Sequence, residues 1–473
     1  MKKIRTALLF GLFAVTMGAI ALHIFGGSGS MFSSTVASSD SKQGLYRKTA
    51  EISLGKVEVQ NYQRMGFTKG FIQFSPDNRE LAMGTDNGEL LMFSATGKLL
   101  WRKNLGLGTI SALEFTRDNR SLLIGETSQE GCLLCLDVND GREIWRQASV
   151  SELGVGIKDK TYPGIVSIKT DQSGKIYAAG LRYIRFSDGH NEYKSRIYQF
   201  DADGNRLAMF PEQENMDAWA GWVSVDERGD KVCFGTANWD NRKVLKYTDI
   251  LYCLDGQLKK VLWTQKPDVV YPYETVTMRC SPEVTSDGSL VAGVASDGRC
   301  FLYDGTQGQL LWQRTVSLPQ KIGGVYMNTS GNYLKTIGRE FLFTTGNTYN
   351  RANWQLPTPI EHPSSNSLFV FDQTGELVNR LKFGGMIEQL VVNEQHAVLA
   401  VGRNVRTKDP SIHGLYIVSL PDAALQDSVA TTGPCVGVAI SSDGRCVAGV
   451  EAPLQLDDGQ VIGEYKLIML EKK

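Results

Sequence analysis

From Gly70 to Leu105 the chain reads as four short apolar runs separated by polar turns and closing on Trp101, and variants of this pattern return to the C-terminus. Apolar and polar positions alternate with period two inside the runs, the spacing of a strand with one covered face. No long helical spacing follows the N-terminal segment, so the pattern predicts an all-β chain. Three landmarks define each unit. The first is a turn between the first two strands: Pro76-Asp77-Asn78, Arg117-Asp118-Asn119, 171–174, 226–229, Ser286-Asp287-Gly288, Thr329-Ser330-Gly331, Asn393-Glu394-Gln395 and Ser442-Asp443-Gly444. Asp, Asn and Gly supply the local side-chain bonds and positive φ that such turns need. The second is a third strand ending near Asp137, Asp201, Asp255, Asp304 or Asp372. The third is a Gly-led turn into a fourth strand that closes on Trp101, Trp145, Trp263 or Trp312. The third and sixth units relax this landmark, and in the seventh (LPDAALQDS) it is largely lost.

The units recur every 41 to 63 residues or about that, the period of a propeller blade. A four-stranded sheet cannot bury both faces alone, so neighbours stack radially and close a ring. The expected fold is therefore an eight-bladed β-propeller of four-stranded antiparallel blades. The eighth unit supplies three strands only (CVGVAIS, CVAGVEA and EYKLIMLE), so residues 51–60 (EISLGKVEVQ), which alternate like a strand, are expected to complete the last blade.

Before the repeat, Lys2, Lys3 and Arg5 precede an uncharged run from Ala7 to Phe25 that breaks at Gly26-Gly27-Ser28-Gly29. That run is just long enough to cross a bilayer as a helix, and positive charge ahead of it keeps the N-terminus cytoplasmic. Residues 1–27 are read as a signal anchor, with a cleaved signal peptide as the rival. Residues 28–43, rich in Ser and Gly, are read as a flexible linker, and residues 44–473 as the propeller. This places the propeller on the extracytoplasmic side of the cell membrane, tethered by one helix.

The cassettes LDVNDGREIW, SATGKLLW and YDGTQGQLLW resemble the D-x-x-T-G-x-x-x-W repeat of quinoprotein-like (pyrroloquinoline-quinone-like) eight-bladed propellers, and the S-x-D-G-x-x-[LV]-A-x-G turns resemble WD40-type repeats. The likeness spans roughly Phe67 to Leu470. It implies that Trp101, Trp145, Trp263 and Trp312 pack between blades. In architecture the chain is also similar to the propeller lipoproteins of the bacterial outer-membrane barrel-assembly machinery. Those carry a lipidated Cys after the signal, and this chain has none there.

Charge and chemistry narrow the function. The formal net charge of −1 lacks the basic excess of a nucleic-acid-wrapping protein, so no nucleic-acid partner is expected. The eight cysteines fall mostly in or beside strands, where small buried hydrophobes are the plain reading; Cys233 and Cys253 lie on successive strands that can face one another. Quinoprotein dehydrogenases hold their quinone against a disulfide of adjacent cysteines, and this chain has no Cys-Cys pair and no c-type haem motif. It also lacks a G-x-S-x-G elbow and an H-E-x-x-H pair, so no catalytic residue, metal or cofactor is expected.

Loop length is more informative. The connections between second and third strands are short in the first and fifth units (Asp86-Asn87-Gly88 and Asp297-Gly298). They are long in the third, fourth, sixth, seventh and eighth, at 182–194, 238–248, 347–366, 403–413 and 452–463. Long loops on a rigid scaffold are where recognition concentrates. They carry Arg182, Tyr183, Trp239, Arg242, Tyr349, Arg351, Trp354, Arg403 and Arg406, the aromatic and Arg types that anchor protein interfaces, and the blade-linking Tyr271-Pro272-Tyr273 emerges on the same face. The expected function is non-enzymatic: a protein-binding or envelope assembly scaffold whose partners are other envelope or membrane proteins. The alternatives are a membrane-anchored quinoprotein-type dehydrogenase and an envelope sensor with a small ligand in the central funnel.

Overall fold

The computed structural model describes residues 35–36, 44–55, 71–106, 108–158, 161–237, 245–322, 324–350, 358, 360–404 and 409–473. The expected anchor at 1–27 lies outside them, and no helix of the described residues is long and apolar enough to cross a membrane. The described chain is all-β apart from one turn of α-helix, Val150–Leu153, and a 3-10 turn, Pro410–Ile412.

Its strands form antiparallel four-stranded meanders, here numbered in chain order. Sheet one is Ile72–Phe74, Glu80–Gly84, Glu89–Ser94 and Leu99–Asn104, and sheet two is Thr109–Phe115, Ser121–Thr127, Cys132–Asp137 and Glu143–Ala148. Sheet three is Pro163–Thr170, Ile176–Arg185, Asn191–Phe200 and Arg206–Phe210, joined to sheet two by a single bridge between Gly164 and Thr127. Sheet four is Trp219–Val225, Lys231–Ala237, Leu251–Asp255 and Val261–Gln265; sheet five is Glu283–Val284, Leu290–Val294, Arg299–Asp304 and Leu310–Thr315. Sheet six is Gly331–Ile337, Glu340–Thr345, Ser367–Phe371 and Leu377–Phe383, to whose outer strand Thr35–Val36, within the segment expected as a flexible linker, adds parallel (Thr35↔Lys382, Val36↔Phe383); sheet seven is Ile387–Val392, His396–Val401, Gly414–Ser419 and Leu425–Ala430. Sheet seven keeps its fourth strand although its sequence has lost the Gly-to-Trp landmark.

In sheet eight, Cys435–Ile440, Cys446–Glu451 and Lys466–Lys472 are joined by Tyr46–Ser53, which pairs antiparallel with Lys466–Lys472 from Tyr46↔Lys472 to Ser53↔Lys466. The added strand thus begins before the segment expected there: Glu51 to Ser53 belong to it, and residues 56–60 lie outside the described residues. Its start is fixed by Tyr46, which is buried, donates its N–H to the Asp427 carboxylate of sheet seven at 2.7 Å and its hydroxyl to the Gly444 carbonyl at 2.6 Å.

The core lies between sheets, because alternate residues of each strand face opposite neighbours. Met92 packs with Leu113 and Ile124 between sheets one and two, Leu123 with Ile165 between two and three, and Tyr177 with Phe234 between three and four. Trp222 and Cys253 meet Val291 and Phe301 between four and five; Leu302 meets Leu334 and Phe343 between five and six. Val370 packs with Leu399 between six and seven, Val398 with Val438 between seven and eight, and Phe74 and Met83 of sheet one with Val450 and Met469 of sheet eight. The chain's last sheet therefore shares a core with its first. Near this seam the Ser442 N–H donates to Asn78 Oδ1 at 2.8 Å, bonding the turn of sheet eight to that of sheet one.

The four Trp residues tie each sheet to the next at the outer strand. Trp101, Trp145, Trp263 and Trp312 donate their indole N–H to the carbonyls of Val138, Ala202, Gly305 and Gln373, all in the turn before the outer strand of the following sheet. The indole lies flat against the glycine that ends this turn. At Gly308 and Gly375, both at positive φ, a Cβ would stand within 2.6 Å of the Trp263 ring and 2.9 Å of the Trp312 ring. Glycine is thus required there both for its φ and for the approach of the ring. Lys103, Gln265 and Arg314, two residues beyond a Trp, add a second bond to that glycine's carbonyl. In sheet six Asn379 takes the Trp position and donates to the Ala423 carbonyl at 3.0 Å.

Candidate protein-binding face

In an antiparallel meander, connections between second and third strands leave the same end of the sheet as the links to the next sheet. The sequence placed its candidate residues at this end. In sheet three the expected loop 182–194 is a correction: the two strands continue to Arg185 and from Asn191, in register from Ile176↔Phe200 to Arg185↔Asn191. The segment reads as a polar loop because the hairpin runs past the core and only one of its faces is covered.

Arg182, on this hairpin, is buried, and its guanidinium donates to the Thr161 carbonyl at 3.1 Å, to Thr161 Oγ1 at 2.9 Å and to the Leu153 carbonyl at 3.4 Å. It closes the entry into sheet three and is not presented to a partner. Tyr183 points the other way. It is partly exposed, stacked on Tyr193 at 5.5 Å between ring centres, and donates its hydroxyl to Asn191 Oδ1 at 2.7 Å.

A second group stands over sheets five and six. Its foundation is the short turn of sheet five, residues 296–298. Arg299 and Asp297, with almost no exposed side-chain surface, form an ion pair at 2.6 Å, and the same guanidinium donates to the Asp268 carbonyl at 2.6 Å. The Tyr273 hydroxyl donates to the Asp297 carbonyl at 3.2 Å. These bonds fix both ends of the link 268–273, lifting Val269, Val270 and Tyr271 into solvent; Tyr271 is 83% exposed. Asn328 connects this link to the next insertion, bonding the Tyr273 hydroxyl and, at 3.4 Å, that of Tyr349.

That insertion is a small three-stranded sheet outside the meanders: Gln320–Ile322, Val325–Asn328 and Tyr349–Asn350. Tyr326 on its middle strand meets Tyr271 edge-on at 5.9 Å, their hydroxyls 2.9 Å apart, and the Lys321 ammonium lies 5.4 Å from the Tyr326 ring. His362 locks the neighbouring strand end. Its Nδ1 accepts from the Ser364 N–H at 3.1 Å, so Nε2 carries the proton and donates to the Leu318 carbonyl at 2.7 Å. Burial lowers the pKa of His362 and keeps it neutral. Leu318, held by this bond, is 57% exposed, and Ile360 is also exposed. Val269, Val270 and Tyr271, with the half-buried Tyr326 against Tyr271, thus form an apolar and aromatic surface on hydrogen-bonded supports, and Leu318 and Ile360 stand exposed on the two segments that His362 ties together.

Of the sequence-derived candidates, Tyr349 belongs to this assembly through Asn328, and the link containing Tyr271 forms its centre. Arg182 and Tyr183 stand on sheet three, and Arg403 follows the second strand of sheet seven, its carbonyl accepting from the Met386 N–H at 3.0 Å. Trp239, Arg242, Arg351, Trp354 and Arg406 lie outside the described residues. Sequence reasoning passed over Leu318 and Tyr326, although an apolar pair flanking Gly323-Gly324 between two units was a signal. Of the other expected loops, 452–463 contains a short hairpin, Leu454–Gln455 with Val461–Ile462. Among the described residues, no group of His, Cys, Asp or Glu is arranged to hold a metal ion.

The sequence matches the family model described as outer membrane protein assembly factor BamB, over residues 55–182 and 86–325. No curated protein matches it. Among solved structures, Sqt1 of Saccharomyces cerevisiae is 11% identical with a TM-score of 0.57, covering 90% of this chain and 99% of its own. The C-terminal WD40 domain of Sif2 is 10% identical with a TM-score of 0.55, covering 90% and 98%. BamB from Moraxella catarrhalis is 12% identical, with 79% and 97% covered and a TM-score of 0.45. At these identities the likeness to Sqt1 and Sif2 is one of fold: the chain is a β-propeller with repeats of the pyrroloquinoline-quinone-like and WD40-like type.

Proposed function

Since this chain belongs to the family described as outer membrane protein assembly factor BamB, we propose that it is an assembly scaffold of the bacterial envelope, an eight-bladed propeller that binds protein partners through one face. The observation that carries the reading is the surface around Tyr271. Large apolar side chains held exposed on supports this firmly bonded mark interaction sites. The Arg299–Asp297 pair and His362 are spent on holding the links that display Tyr271 and Leu318. Aromatic anchors pre-ordered in this way lose little conformational freedom on binding. The basic N-terminus and the apolar run from Ala7 to Phe25 support export and a membrane tether, which would set the face against membrane-bound or periplasmic proteins.

The test is a Tyr271→Ala, Leu318→Ala, Tyr326→Ala triple variant in cells lacking the native chain, scored by the amount of folded outer-membrane β-barrel protein. These residues are partly or largely exposed, so the variant is expected to fold like the parent by circular dichroism while failing to restore barrel assembly. Full restoration by a correctly folded variant would refute the assignment of this face.

A further inference from the structure

Sheet four carries a pair of cysteines whose placement goes beyond packing. Cys233 on Lys231–Ala237 and Cys253 on Leu251–Asp255 are directly opposed in the antiparallel register. The Thr236 N–H donates to the Ile250 carbonyl at 2.9 Å and the Gly256 N–H to the Asp230 carbonyl at 2.8 Å, marking hydrogen-bonded positions on either side. Counting in steps of two from either one leaves Cys233 and Cys253 at a non-hydrogen-bonded position, where facing Cα atoms approach to about 4.5 Å and side chains lie closest. A disulfide accepts Cα separations of roughly 4.4 to 6.8 Å. Both thiols face sheet five, within the cluster of Trp222, Val291 and Phe301, and both are fully buried. The neighbouring Cys253 thiol and burial raise the Cys233 pKa. Among the described residues, no other two cysteines are opposed in the strand registers.

We propose that Cys233 and Cys253 form a redox-responsive cross-strand dithiol that closes into a disulfide between the second and third strands of sheet four. Two S–H bonds break and one S–S bond forms. The two electrons and two protons pass to a disulfide oxidant such as oxidised glutathione, which leaves as two thiols by way of a mixed disulfide. Burial confines the exchange to moments when the outer strand Val261–Gln265 opens, since Trp263 sits opposite Cys253 on that side and is latched to the Gly305 carbonyl. The pair therefore responds slowly and selectively. In sequence Trp239 and Arg242 lie between the two cysteines, so the disulfide encloses both in one covalent ring. The chemistry stands without the scaffold reading; only the effect of closure on a partner depends on it.

The test uses the full folded chain equilibrated in a series of glutathione redox buffers, quenched by thiol alkylation, digested and weighed. The expected result is one crosslinked peptide pair joining Cys233 to Cys253, lighter by about 2 Da than the sum of the unmodified thiol peptides, for the two hydrogens lost. The remaining cysteines stay alkylatable, and the crosslinked mass is absent from Cys253→Ala. Full alkylation of both residues across the whole series overturns the proposal. So does a crosslink of Cys233 to any other cysteine.

Discussion

The Trp latch between sheets gives the sharpest test of how the ring is held. Trp312 and Leu311 are adjacent on the outer strand of sheet five, yet their surroundings differ. Trp312 is 7% exposed, edge-on to Phe341 and Phe343, tilted against Phe371 and bonded to the Gln373 carbonyl of sheet six, whereas Leu311 is 49% exposed. Replacing a buried Trp by Ala removes its transfer and packing contributions and leaves a cavity, a loss of about 3 to 5 kcal/mol. Trp312→Phe keeps most ring contacts and loses the indole bond. Because Gln373 is exposed, water can take over its carbonyl, so the cost of the lost bond is about 1 kcal/mol. Leu311→Ala should stay within about 0.5 kcal/mol of the parent. Urea unfolding followed by far-ultraviolet circular dichroism separates the three variants without relying on Trp fluorescence. Equal losses for Leu311→Ala and Trp312→Ala would refute the latch.

Three further outcomes follow from the same structure. Removing residues 44–53 bares the edge of Lys466–Lys472 and takes away the Tyr46 contact with Asp427, so the truncated chain should aggregate on gel filtration; a soluble monomer would contradict closure by this strand. Asp297→Asn leaves the buried Arg299 guanidinium uncompensated, an expected loss of about 3 to 5 kcal/mol in urea unfolding, with raised hydrogen exchange across 268–273. Burial lowers the pKa of His362 and of His413 from the ordinary 6.5. Their contribution to stability is therefore complete above that value and is lost as pH falls from it through the lowered folded-state values. Urea midpoints should drop as pH falls below the ordinary 6.5, and less steeply in His362→Gln; identical slopes for parent and variant would count against this origin.

The repeat was legible because its landmarks are local. Asn78 and Asn119 turn through positive φ, and Gly308 and Gly375 do so beneath an indole, so single residue types disclose their positions. The fourth strand of sheet seven was less visible because neither a Trp nor a Gly marks it. Asn379 and Ala423 make the equivalent contact with residues that carry no such signature. The closing strand was expected a few residues too late, because alternation continues through EISLGKVEVQ, whereas its pairing is set by Tyr46 and Asp427, distant in sequence. The candidate face was legible in Tyr271 and Tyr349 but not in its supports. Asp297-Gly298 reads as one of the short, plain connections, and only the folded chain brings Asp268 and Tyr273 over it to bury the ion pair with Arg299. Arg182 misled for the same reason, since its hydrogen-bonding partners Thr161 and Leu153 come from another part of the chain.

The scaffold account rests most directly on what touches the Tyr271 surface in the native envelope. A photocrosslinking residue placed at Tyr271, and in parallel at the exposed rim position Leu100, reports this in living cells. The account predicts a discrete crosslinked species at position 271, identified by mass spectrometry as a component of outer-membrane protein assembly and absent at position 100. The same species at both positions, or none at 271 while the chain is folded and exported, would contradict it.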